Sequence, residues 1–128
     1  STEGKTNAEM YKMFLKHKKN LTENDIVELD ANELFVIGYL MAMDNYFDSG
    51  KALIFLKQAR KKKQSSYTYS IIEALVKAQI AMEKDFCKAW KYTNKVFSNK
   101  SLVQDMREDA RKIIYDYMIL YKNDCDKK

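Results

Sequence analysis

Two stretches of this chain repeat one another, and that repetition restricts the possible folds more than any other feature. Ala31, Leu34, Phe35, Gly38, Met41 and Tyr46 recur forty residues on as Ile71, Ala74, Leu75, Ala78, Ala81 and Phe86. Ala52, Leu53, Leu56 and Ala59 recur thirty-seven residues on as Ala89, Trp90, Thr93 and Val96. The difference of three residues is a longer turn in the first copy. Small and apolar positions return in one order at helical spacing, so each copy reads as an amphipathic helical hairpin. One such hairpin cannot bury its apolar face alone, and stacked pairs are the expected solution.

The rest of the chain agrees with helices. Proline is absent and glycine occurs three times in 128 residues, which starves β-turns and extended linkers. No stretch keeps the period-2 alternation of a half-buried strand. The expectation is a single all-α domain, residues 1–128, with a modest core. Its longest apolar run, Leu34 to Met43, is too short to cross a bilayer.

In chain order, 1–7 reads as a loose tail and Ala8 to Lys19 as a first helix with Met10, Tyr11, Phe14 and Leu15 inward. An acidic connection follows, with a short helical turn expected around Ile26 and Leu29. Hairpin 1 spans about 31–63. Asp30 is a suitable N-cap with Glu33 three positions on, and Asp48 or Ser49 caps its second helix. Hairpin 2 spans about 66–97, opened by Ser66 or Thr68 and turning at Lys84 and Asp85. Ser101 and Gln104 have capping-box spacing for a closing helix over about 101–122. Val103, Met106, Ala110, Ile113, Ile114, Tyr117, Leu120 and Tyr121 form its periodic apolar positions. Residues 123–128 read as a loose tail.

Phe86-Cys87-Lys88-Ala89, with Val96 seven positions after Ala89, resembles the turn and second helix of a tetratricopeptide repeat. Gly38 falls where that family places the small residue of its first helix, and Ala52 and Ala59 repeat the seven-residue spacing. The resemblance covers about half the chain. It implies a short right-handed array of antiparallel hairpins, with flanking N- and C-terminal helices as caps. Neither copy has the family's proline, and Leu34 or Ala74 stands where the family's tryptophan belongs. By resemblance, the role implied is that of an adaptor or chaperone without catalysis.

Charge is unevenly distributed. From Leu21 to Gly50 there are seven acids and no Lys or Arg; from Lys51 to Lys100 there are twelve bases and three acids. Such a dipolar surface steers a charged partner or joins copies of the chain. Little in the sequence points to catalysis, a metal or a cofactor. His17, the one histidine, lies among Lys16, Lys18 and Lys19, and the residues from Asp44 onward lack the ligand spacing of a calcium loop. No glycine-rich phosphate loop exists. Cys87 and Cys125 have no CxxC partner, which fits thiols in a reducing compartment; a long-range disulfide between them is the alternative. The chain begins at Ser1 without a methionine, so a removed leader stays open.

Two candidate surfaces follow. In a tetratricopeptide-like array the first helices line a groove, placing Phe35, Tyr39 and Met43 in it, with Ile72 and Gln79 as counterparts. Aromatics and methionine there suit a peptide or helix of another protein. The competing expectation is that the first helix folds into the groove and uses those residues itself. The second surface is basic: Lys57, Arg60, Lys61, Lys62 and Lys63 end one helix, and Lys84, Lys88, Lys91 and Lys95 form one stripe. A solvated helix face explains it, as does a patch for nucleic acid or anionic lipid. The expected assembly is a monomer or a weak homodimer.

Overall fold

A computed structural model describes residues 6–19, 29–44 and 49–126, with only the backbone of 17–19. The expected turn near Ile26, the Asp48 cap, the repeat position Tyr46 and the His17 side chain lie outside the described residues. The fold is all-α. Six α-helices are described: α1 Asn7–Lys19, α2 Ala31–Asp44, α3 Ser49–Lys62, α4 Tyr67–Ala81, α5 Phe86–Phe97 and α6 Glu108–Met118. A closing 3₁₀ helix runs over Ile119–Asp126. The chain divides into two compact units, Ser1–Lys62 and Lys63–Lys128. Each unit carries one hairpin.

In the first unit α2 packs against both α1 and α3. The expected capping box opens α2. Asp30 Oδ1 accepts from the Glu33 N–H and Glu33 Oε1 accepts from the Asp30 N–H, both at 2.9 Å. Two backbone donors that the helix cannot satisfy are met in this way, worth about 1 kcal/mol. Leu34 and Ile37 on α2 are buried with Ala52, Leu56 and Ala59 on α3. Gly38 sits where the hairpin is tightest: a Cβ there would stand 2.7 Å from Leu56 Cγ.

α1 differs from the sequence reading on its inner face. Ala8 and Leu15, one heptad apart, are buried, whereas Phe14 is 55% exposed. Phe14 instead stacks on Tyr11 with ring centroids 6.4 Å apart. The start of α1 is tied to the end of α2, because Asp44 accepts from Asn7 Nδ2 at 3.0 Å and from the Ala8 N–H at 2.8 Å. Asn7, expected in a tail, is thus a structural residue.

In the second unit α4 packs against α5, and α5 packs against α6 and the 3₁₀ helix. Ser66 caps α4 by accepting from the Tyr69 N–H at 3.1 Å, and Asp85 caps α5 by accepting from the Cys87 N–H at 2.9 Å. Tyr67, Ile71, Ala74 and Leu102 form one buried cluster; Ala78, Ala89 and Met118 form the next. Thr93 is fully buried at the position that answers Leu56, and its hydroxyl donates to the Ala89 carbonyl at 3.0 Å.

The segment after α5 departs from expectation. Ser101 caps no helix, since its hydroxyl and N–H both donate to Asn99 Oδ1. The chain from Leu102 to Arg107 is not helical, and Val103 pairs in parallel with Ser66. The Tyr67 N–H donates to the Val103 carbonyl at 3.0 Å and the Val103 N–H to the Ser65 carbonyl at 2.7 Å. This extension delivers Asp105 to the start of α4. Ser66 Oγ donates to Asp105 Oδ2, and the Thr68 N–H donates to Asp105 Oδ1 at 2.8 Å. α6 accordingly starts at Glu108 and not at Ser101.

Cys87 and Cys125 form a disulfide across 38 residues, which overturns the expectation of unpaired thiols and removes the argument for a reducing compartment. It anchors the 3₁₀ helix to the start of α5. Residues 123–126, expected as a loose tail, are therefore part of the fold.

Candidate functional site

Phe35, Tyr39 and Met43 recur every four residues along α2, away from buried Leu34, Ile37 and Gly38. Phe35 is half-buried and stacks on Tyr39 with centroids 6.3 Å apart. Tyr39 is 42% exposed and Met43 67% exposed. α1 is packed on α2 in the same unit, so α1 does not use these two side chains up. Asp44 holds the first turn of α1, and Lys12 Nζ lies 4.8 Å from the centre of the Phe55 ring.

Ile72 and Gln79 belong to the second unit. Ile72 is partly buried and packed against the cluster of Tyr67, Ile71, Ala74 and Leu102. Gln79 is half-buried on α4.

The basic residues are mostly on the surface. Lys57, Lys61 and Lys62 are exposed on α3, with Arg60 half-buried among them. Lys63 follows the helix and holds its ammonium 5.0 Å from the centre of the Tyr69 ring. Lys88, Lys91 and Lys95 are exposed along α5, and Lys84 is exposed in the turn before it. None of Lys84, Lys88, Lys91 or Lys95 makes an ion pair among the described residues.

Two further features escaped the sequence reading. Ile113, Tyr117 and Leu120 look like core positions by spacing, yet all three face solvent, Ile113 at 70% exposure. Buried Met118 and partly buried Ile114 make the inward contacts instead. The second feature is a cleft of about 340 Å³ lined by Tyr67, Phe97, Gln104, Glu108, Arg111, Lys112 and Tyr115. Phe97 and Tyr115 meet edge to face at 5.0 Å, and Trp90 supports Tyr115 at 6.2 Å. Arg111 Nε donates to the Met106 carbonyl at 3.0 Å and Nη1 donates to Gln104 Oε1 at 3.2 Å. Gln104 reaches this lining from the non-helical chain before α6, so helical spacing alone gives no hint of the cleft.

Titration behaviour follows from these contacts. Burial pushes the Tyr67 phenol up, partly offset by the nearby Arg111 guanidinium. Burial acts to raise Asp105, but hydrogen bonds from Ser66 and Thr68 outweigh it and hold the carboxyl below its usual range. Among the described residues no group of three or more His, Cys, Asp or Glu is placed to hold a metal ion, and no helix is long and apolar enough to cross a membrane.

Comparison with protein-family models, with curated proteins and with solved structures finds no match.

Proposed function

We propose that this protein is a non-enzymatic interaction module of tetratricopeptide-like hairpins, an adaptor or chaperone whose α2 face holds an amphipathic helix of another protein. The observation that supports it is the exposure of Tyr39 and Met43 beside half-buried Phe35 while α1 is already docked. A face with apolar side chains every four residues suits a partner helix with the same spacing. Seven acids and no bases between Leu21 and Gly50 favour a partner whose flanks are basic. The tetratricopeptide-like character rests on Gly38 at the tight point of α2 and α3, and on Leu56 and Thr93 at matching buried positions.

The test is affinity capture from the native host with the wild type and with a Tyr39→Lys/Met43→Lys variant. Support is a defined protein retained by the wild type and lost by the variant. Capture insensitive to the two lysines, or recovery of nucleic acid or lipid alone, rules the reading out.

A second reading, binding to nucleic acid or an anionic surface, draws on the exposed Lys84, Lys88, Lys91 and Lys95. Titration with generic DNA, RNA and anionic vesicles separates the two. Counterion release makes such binding fall steeply with salt, and no affinity at low salt ends it.

A further inference from the structure

The cleft of the second unit joins two accessible aromatic side chains to charges of both signs. Phe97 and Tyr115 supply the accessible apolar surface, and Tyr67, buried in the core, fixes the floor beneath them. Gln104 and the Met106 carbonyl occupy two of the five N–H groups of Arg111. Both acceptors are neutral, and the half-buried guanidinium has no carboxylate partner among the described residues. Its remaining N–H groups form the planar fork that recognises a carboxylate in two-point fashion. The neighbouring cation is already engaged, because Lys112 Nζ pairs with Asp116 at 2.6 Å.

Glu108 also lines the cleft, one helical turn before Arg111, and makes no ion pair with it among the described residues. A simple anion at Arg111 would meet repulsion from that carboxylate, and a simple cation at Glu108 would meet Arg111. A ligand bearing both charges meets neither penalty. We infer that the cleft of Tyr67, Phe97, Glu108, Arg111 and Tyr115 is a binding site for a free aromatic α-amino acid. Its carboxylate lies on Arg111, its ammonium on Glu108, and its ring against Phe97 and Tyr115. The volume, at the small end of ligand pockets, accommodates one such molecule. This inference is independent of the α2 face.

The test uses the full chain, with NMR shifts of Phe97 and Tyr115 followed during titration. L-phenylalanine is compared with phenylacetate, which lacks the ammonium, phenethylamine, which lacks the carboxylate, and 2-phenylethanol, which lacks both. Saturable binding of L-phenylalanine is expected, at least about tenfold tighter than any of the three. Glu108→Gln at the exposed rim should weaken L-phenylalanine and leave phenylacetate equal or tighter. Arg111→Gln should weaken L-phenylalanine and phenylacetate together and spare phenethylamine. No saturation by about 10 mM, equal binding of a singly charged analogue, or indifference to Glu108→Gln overturns the assignment.

Discussion

Gly38 of α2 faces Leu56 of α3 so closely that a Cβ at position 38 would stand 2.7 Å from Leu56 Cγ and 3.1 Å from the Ala52 carbonyl oxygen. Alanine favours a helix over glycine by about 1 kcal/mol. Relieving the clash by spreading two packed helices costs about 1–3 kcal/mol. Gly38→Ala is therefore expected to destabilise the first unit by about 1 kcal/mol net, and Gly38→Val by more. Urea unfolding of both variants checks this. Adding Leu56→Ala should cost less in the Gly38→Ala background than alone, because the two residues are in contact.

This contact is the part of the fold most legible in the sequence. Gly38 and Ala78, and Ala52 and Ala89, recur in register because each hairpin needs small residues where its helices cross, and Leu56 and Thr93 recur as buried positions beside them. All six positions are buried. The chain after α5 is not legible in the same way. Val103, Met106 and Ala110 have helical spacing, but Asp105 is held at the start of α4 by Ser66 and Thr68, and a continuous helix from Ser101 would forgo those bonds. Such pairing across 37 to 39 residues leaves no local trace. The amino-acid cleft inherits the same blindness, since Gln104 and Arg111 meet through that non-helical segment.

Asp105 makes a prediction about pH. Its carboxylate accepts from Ser66 and from the Thr68 N–H, while its carbonyl accepts from Thr68 Oγ1 at 3.0 Å. Asp105→Ala should cost about 1–2 kcal/mol, the usual scale for a lost helix cap. Because the folded carboxyl is held below its unfolded range, its contribution is present above about pH 4 and is lost as pH falls through the folded value. Wild-type stability is expected to fall across that acid range by more than that of Asp105→Asn. Thermal melts of both proteins between about pH 2 and pH 6 test it.

The disulfide sets the third expectation. Cys87 and Cys125 are 38 residues apart, and closing a loop of that size is worth up to about 4 kcal/mol in the chain-entropy account. Reduction, or the paired change Cys87→Ser/Cys125→Ser, should destabilise the second unit by about 2–4 kcal/mol. Amide exchange should rise first in Ile119–Asp126, the segment that the bond anchors to α5. A 3₁₀ helix that stays protected after reduction would show that the Phe86–Tyr121 stack, at 5.9 Å, suffices to hold it.

The final prediction separates the face that α1 covers from the face it leaves open. α1 buries Ala8 and Leu15, and its first turn supplies two hydrogen bonds to Asp44. Removing residues 1–20 should therefore cost the first unit about 3 kcal/mol, chiefly the burial of Leu15 and the two bonds to Asp44. The uncovered apolar surface on α2 should drive self-association that persists in high salt, since screening weakens charge pairing and not apolar burial. Tyr39→Lys/Met43→Lys should behave oppositely. Both side chains are exposed, and a lysine at position 43 near the end of α2 is favoured by the helix dipole, so the loss should stay near the roughly 1 kcal/mol of the Phe35–Tyr39 stack. Light scattering at low and high salt, paired with urea unfolding, reads both variants. A truncated chain that remains monomeric and equally stable would show that α1 contributes no cover. A lysine variant that unfolds would show that Tyr39 and Met43 belong to the core and not to a docking face.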